Sequence, residues 1–191
     1  MLRSLFPALL VCVVCCSAAM SLSAQTVYDA KLPPDRFAVG AGFSNFALDW
    51  GHGRRMDGIT AWADYHPGIQ ARLLQNLGIE IEGREIDFAR PSSLSRMRQE
   101  TILGGPTYRF RPWHGLHPYA KYLLGIGGIY FPGDTYNHDT RTVYAPGGGV
   151  DYRAGNRFTV RVDYEYQFWH ALFGPHDLNP NGVTAGVLYR F

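Results

Sequence analysis

Charged side chains recur at every second position in this sequence. "LGIEIEGR" sets Glu80, Glu82 and Arg84 in one row of period two, and "RFTVRVDYEYQ" does the same with Arg161, Asp163 and Glu165. Asp64, Arg109, Lys121, Asp151, Arg153 and Arg190 fall on the same face of their own segments, so the full set holds six acids and six bases. Collected into one interior, these groups must pair, because an unpaired buried charge costs several kcal/mol. Two kinds of chemistry follow from such a set. One is a salt-bridged plug that neutralises itself. The other is a gated path of low conductance, in which Glu80 or Glu82 exchanges between Arg and Lys partners.

Other residue types offer less. Two His-Asp pairs, His138-Asp139 and His176-Asp177, stand in hydrophilic stretches where a general base would activate water. Adjacent residues in loops rarely make a working site, and loop composition accounts for both pairs. His52, His138 and His176 lack the clustered or i,i+4 spacing of a metal site, so no metal is expected. "APGGGVD" has neither the Lys-Ser/Thr nor the helix of a phosphate loop. After residue 95 the chain has no serine, which leaves Ser44, Ser92, Ser93 and Ser95 as possible nucleophiles. No cofactor and no catalytic residue are assigned.

Stepping from these side chains to their carriers, the chain of 191 residues suits one domain. Charged residues make up 18% and are nearly balanced, with no basic patch of the kind that binds nucleic acid. The opening "MLRSLFPALLVCVVCCSAAMSLSAQ" carries one basic residue, an apolar run and then small residues, the order of a secretory signal. Residues 1–24 are expected to be that signal peptide, cleaved near Ala24-Gln25, and 25–191 the mature domain. Cys12, Cys15 and Cys16 all lie in the signal, so the mature chain needs no disulfide framework.

Eight segments of alternating polarity follow, near 36–48, 57–66, 77–87, 100–111, 117–130, 142–153, 157–168 and 182–191. A length of about ten residues matches a tilted strand crossing a bilayer. Longer hydrophilic connections alternate with short ones such as "RAGNR", although 67–76 is long for its place and "IQARLLQNL" suits one or two helical turns. Period two alone also fits a soluble sandwich, so the faces decide. Tyr108, Phe110, Tyr130, Phe131, Tyr164, Tyr166, Tyr189 and Phe191 gather near segment ends, as an interfacial girdle requires. Gly40, Gly42, Gly125, Gly127, Gly147 and Gly149 share the charged face, where a narrow lumen has little room. These features predict a closed, eight-stranded, antiparallel up-and-down transmembrane β-barrel with its apolar face toward lipid. Pro106 and Pro146 fall inside predicted strands and imply bulges or strand ends there.

The stretch "GGGVDYRAGNRFTVRVDYEYQ" (147–167), with "GIEIEGR" and "HPYAKYLLGIGG", resembles the outer-membrane β-barrel domain family, the small eight-stranded barrels of the OmpA type. The resemblance covers roughly 36–191. It implies residence in the bacterial outer membrane, contact with outer-membrane lipid, periplasmic chaperones on the way there, and insertion by the barrel-assembly machinery. The ending "TAGVLYRF" resembles the signal that this machinery reads, through Thr184, Gly186, Tyr189 and Phe191. Strand addition is its physical basis, since an exposed edge offers main-chain pairing and alternate side chains give specificity. Lipid-modifying barrels of similar size place Ser and His together on a lipid-facing strand, and no H-x-S pair occurs here. The expected role is therefore non-enzymatic, structural or exerted through surface loops toward a partner the sequence does not name. A narrow low-conductance channel or carrier for small solutes is the alternative, and a lipid-modifying enzyme comes third.

Overall fold

Alternating side chains commit each segment to a strand, because only a strand sends neighbours to opposite faces. The computed structural model describes residues 36–47, 55–69, 71, 74–87, 98–130, 138–172 and 176–191. The proposed signal peptide, His52, the three loop serines 92, 93 and 95, and Phe131 lie outside them. The strands are β1 (Phe37–Ala47), β2 (Arg55–Tyr65), β3 (Leu77–Asp87), β4 (Arg98–Arg109) and β5 (Leu116–Tyr130). They continue with β6 (His138–Arg153), β7 (Phe158–Tyr166), β8 (Phe168–Leu172), β9 (His176–Leu178) and β10 (Asn181–Arg190).

Each of β1 to β6 pairs antiparallel with the next, and β10 pairs with both β7 and β1, which closes the sheet. The ten segments amount to eight strands. Val143 opposes Trp169 on β8 in the same register in which Gly147 opposes Glu165 on β7, so β7 and β8 are one wall strand interrupted at Gln167. Across from the interruption, the Gln167 N–H donates to the Pro180 carbonyl at 2.7 Å, between β9 and β10. The fold is thus a closed eight-stranded antiparallel barrel.

The prolines sit differently from expectation. Pro106 lies within β4 opposite Ile79, and Pro146 within β6 opposite Tyr122, with no shift of register at either. What lapses is the other ladder. Between β4 and β5 the pairing steps from Gly104–Leu124 to Thr107–Lys121, and between β6 and the β7–β8 strand it lapses beside the Gln167 interruption. Each missing N–H is therefore turned to a side where no bond is made, and a bulge is unnecessary.

One end of the barrel carries the tight connections. Trp113 and Leu116 exchange two 2.9 Å backbone bonds around His114 and Gly115, whose φ of 49° and 79° make the mirror-image turn that matches strand twist. Ala154 N–H donates to Phe158 across the next turn at 3.1 Å. The described residues 66–69, 71 and 74–76 belong to the same end, where the Leu74 and Gln75 amides bond the Ala71 carbonyl. Those bonds close a single turn, within the one or two helical turns expected there.

Outside, the wall is apolar: Phe43, Ile59, Ile81, Ile102, Ile126 and Val162 are each at least half exposed. Aromatic pairs mark the turn end, with Tyr108–Phe110 at 5.3 Å and Phe158–Tyr189 at 5.5 Å between centroids. An apolar exterior of this kind is a lipid-facing surface.

Candidate functional site

Because alternate residues point inward, the inward row of β3 and that of β7 face each other from opposite sides of the ring. Arg84 on β3 reaches Glu165 on β7 at 2.7 Å, while Arg161 on β7 reaches Glu80 on β3 at 2.8 Å. Two ion pairs thus join opposite walls across the lumen.

The rest of the network fills in around them. Arg84 also bonds Glu82 at 2.6 Å and donates to the Thr60 hydroxyl at 2.9 Å, its guanidinium lying 4.1 Å over the Phe46 ring. Arg161 takes Asp64 at 2.7 Å and Asp151 at 2.8 Å, with Tyr119 beneath its guanidinium at 4.5 Å. The Lys121 ammonium stands among four carboxylates: Glu82 at 2.8 Å, Asp163 at 3.0 Å, and Glu80 and Glu165 at 3.1 Å. Tyr119 donates to Asp163 at 2.5 Å. Every one of these charged groups is buried, and each ion finds counter-ions, the condition under which burying charge is tolerable.

By oxygen spacing Glu82, Asp163 and Glu165 could grip a cation. The Lys121 ammonium already supplies that charge between them, so the geometry does not call for a metal.

The twelve charges do not mix evenly. In the middle of the lumen six carboxylates surround Arg84, Lys121 and Arg161. The other three bases lie toward the turn end. Arg109 is half-buried, 4.0 Å from Asp64, and Arg190 donates to the Gly155 and Asn156 carbonyls of the tight turn. Arg153 is exposed and does not enter the interior. Just past β2 at this end, His66 is held down to about 4, first by burial and then by the nearby Arg109 and Arg161 charges.

Toward the loop end the lumen changes character. Gln167 accepts from the Gln99 amide at 3.0 Å and from the Trp169 indole at 2.9 Å, and donates to Glu165 at 2.8 Å. Beyond it Phe46, Met56, Ile86, Ile129, Val143 and Trp169 pack into an apolar plug with no exposed surface. The Trp169 indole occupies the place that a side chain on Gly127 would take. Lower down, a methyl carbon on Gly42 or Gly186 would come within 2.8 or 2.7 Å of the Trp62 indole. Gly40, Gly42 and Gly186 thus leave room for Trp62 and Gly127 for Trp169, whereas Gly125, Gly147 and Gly149 face the backbone of neighbouring strands. No sequence rule assigned this plug, since apolar residues were allotted to the lipid face; only their shared parity with Ser44 and Arg84 pointed inward.

The remaining candidates do not converge. Ser44 faces the lumen, with its hydroxyl 2.5 Å from Thr60 and 2.8 Å from Thr184, two hydroxyls on the flanking strands. Asp139 pairs with Arg141 at 3.1 Å and Asp177 with His170 at 3.0 Å. Among the assembly-signal positions, Thr184 is buried in the hydroxyl chain, Gly186 lies against Trp62, and Tyr189 and Phe191 stack on the outer wall at 5.0 Å.

This architecture recurs in solved proteins. The crystal structure of Neisserial surface protein A is similar with a TM-score of 0.67 at 16% identity, over 83% of this chain and 99% of that one. Ail, the attachment invasion locus protein of Yersinia pestis, matches with 0.53 at 16% over 81% and 97%. The N-terminal β-barrel domain of Pseudomonas aeruginosa OprF matches with 0.51 at 14% over 83% and 99%. At such identities the likeness is one of fold. No curated protein sequence matches the chain. The family model described as "outer membrane protein beta-barrel domain" matches residues 10–191. The chain belongs to that family and is a protein of the bacterial outer membrane.

Proposed function

We propose that this barrel is a non-enzymatic element of the outer membrane, acting through its lipid-facing wall and its loop-end surface rather than through its lumen. The observation that carries this reading is the pair of ion pairs, Arg84–Glu165 and Arg161–Glu80, that join opposite walls. An eight-stranded ring has an interior just wide enough for side chains to fill. Here a charged layer and an apolar plug fill it in series.

A second reading has one observation in its favour. Lys121 lies at nearly equal distance from four carboxylates, so its ammonium could trade partners at low cost and open a narrow path. Recording from planar bilayers separates the two. Barrels that insert, as judged by protease protection, are expected to give no unitary currents at neutral pH. Discrete reproducible openings would overturn the closed-lumen reading and establish the channel.

A further inference from the structure

Among the described residues, charge is distributed unequally between the two ends of the outer surface. In a barrel of this family the short turns face the periplasm and the longer loops face outward. On the outward-pointing side of the loop end stand four acids, Asp57, Glu85, Asp87 and Glu100, and two bases, Arg55 and Arg98, the latter paired to two of the acids. At the turn end, the described turn residues (66–69, 71, 74–76, 110–115 and 154–157) include no acid at all. The carboxylates nearest that end, Asp64 and Asp151, are buried and held by Arg161.

Two arginines of this end are exposed beside the aromatic girdle. Arg157 donates to the Tyr189 hydroxyl at 2.9 Å, which fixes its guanidinium at the level of the Phe158–Tyr189 pair. Arg111 follows Phe110 and precedes Trp113, whose indole is 68% exposed at the tip of its turn. Aromatic belts mark the depth of lipid headgroups. A guanidinium at that depth matches a phosphodiester, to which it donates two parallel hydrogen bonds. Basic residues at a membrane surface also draw anionic lipid by charge alone.

We propose that the periplasmic rim binds anionic phospholipid headgroups of the inner leaflet, at Arg157 with Tyr189 and at Arg111 with Trp113. The proposal concerns the rim alone and does not depend on whether the lumen conducts.

The test uses the mature barrel reconstituted in phosphatidylcholine vesicles that contain spin-labelled phosphatidylglycerol or spin-labelled phosphatidylcholine as a trace. Wild type is expected to immobilise the anionic label on the order of threefold more than the zwitterionic one, a preference that high salt reduces. R111Q/R157Q is expected to lose most of it, while R98Q at the loop end keeps it. If the double variant fails the unheated-gel test of folding, R157K against R157Q decides, since lysine keeps the charge. Equal immobilisation of both labels would overturn the proposal. So would a preference that survives R111Q/R157Q or follows R98Q. Arginine-dependent sedimentation with purified peptidoglycan, without any lipid preference, would overturn it in favour of the acidic cell-wall polymer.

Discussion

Lys121 holds four carboxylates with one ammonium, and no rearrangement of neighbours replaces it, because Arg84 and Arg161 are already committed. Taking one partner out of a buried ionic group leaves the others desolvated and uncompensated. K121M is expected to lower stability by about 3–5 kcal/mol, read from urea unfolding in lipid vesicles. Arg98 makes two equally short contacts, to Glu100 at 2.6 Å and Glu85 at 2.8 Å, but its side chain is 35% exposed. R98A should cost under about 1 kcal/mol in the same assay, as exposed pairs do. His66 gives a pH signature. Its value is near 6.5 in an unfolded chain and about 4 in the barrel, with burial the main cause. Between those values only the unfolded chain takes up the proton. This contribution is complete above pH 6.5, declines as pH falls toward 4, and levels off below. H66N should flatten that part of the stability curve; an unchanged slope would show that other groups produce it.

Strands were legible because alternation is a local property. Phe158 to Gln167 announces its faces residue by residue, and β3 and β10 do the same. What alternation cannot convey is height along the lumen. Phe46, Ile86 and Leu123 share inward parity with Ser44, Arg84 and Lys121, yet the apolar residues stack with those of other strands into a separate layer. The same limit hid the placement of Arg109, Arg153 and Arg190 toward the turn end, since height depends on the register of every intervening strand. The prolines misled for a related reason: whether a missing N–H matters depends on which neighbour it faces. The layers make a prediction at this scale. A methyl group on Gly127 meets the Trp169 indole, whereas one on Gly83, on the outer wall, meets nothing within 4 Å. G127A should destabilise by about 1–3 kcal/mol, as overpacking does, and G83A should leave the unfolding midpoint nearly unchanged. Equal effects would mean that Trp169 moves aside freely and the plug is soft.

Closure of the whole molecule rests on β10, which must pair with β1 and β7 at once. Of the residues proposed as the assembly signal, Thr184 and Gly186 also serve the folded barrel, through the Ser44 hydroxyl and the room left for Trp62. Changing them would confuse recognition with packing. Phe191 separates the two. Its amide bonds the Phe37 carbonyl at 3.0 Å, which any residue but proline preserves, and its ring is 56% exposed, resting on Phe37 and Tyr189. F191A therefore removes one partly exposed ring from the girdle and should cost the folded barrel no more than about 1–1.5 kcal/mol. If strand addition by the assembly machinery reads this ring, the effect in cells must be much larger than that cost implies. The purified F191A protein is expected to fold into lipid vesicles nearly as fully as wild type, as shown by its migration on unheated gels. In cells, the same variant should accumulate in the periplasm, with several-fold less reaching the outer membrane. Equal losses in both settings would assign Phe191 to barrel stability, and normal assembly in cells would remove it from the signal altogether.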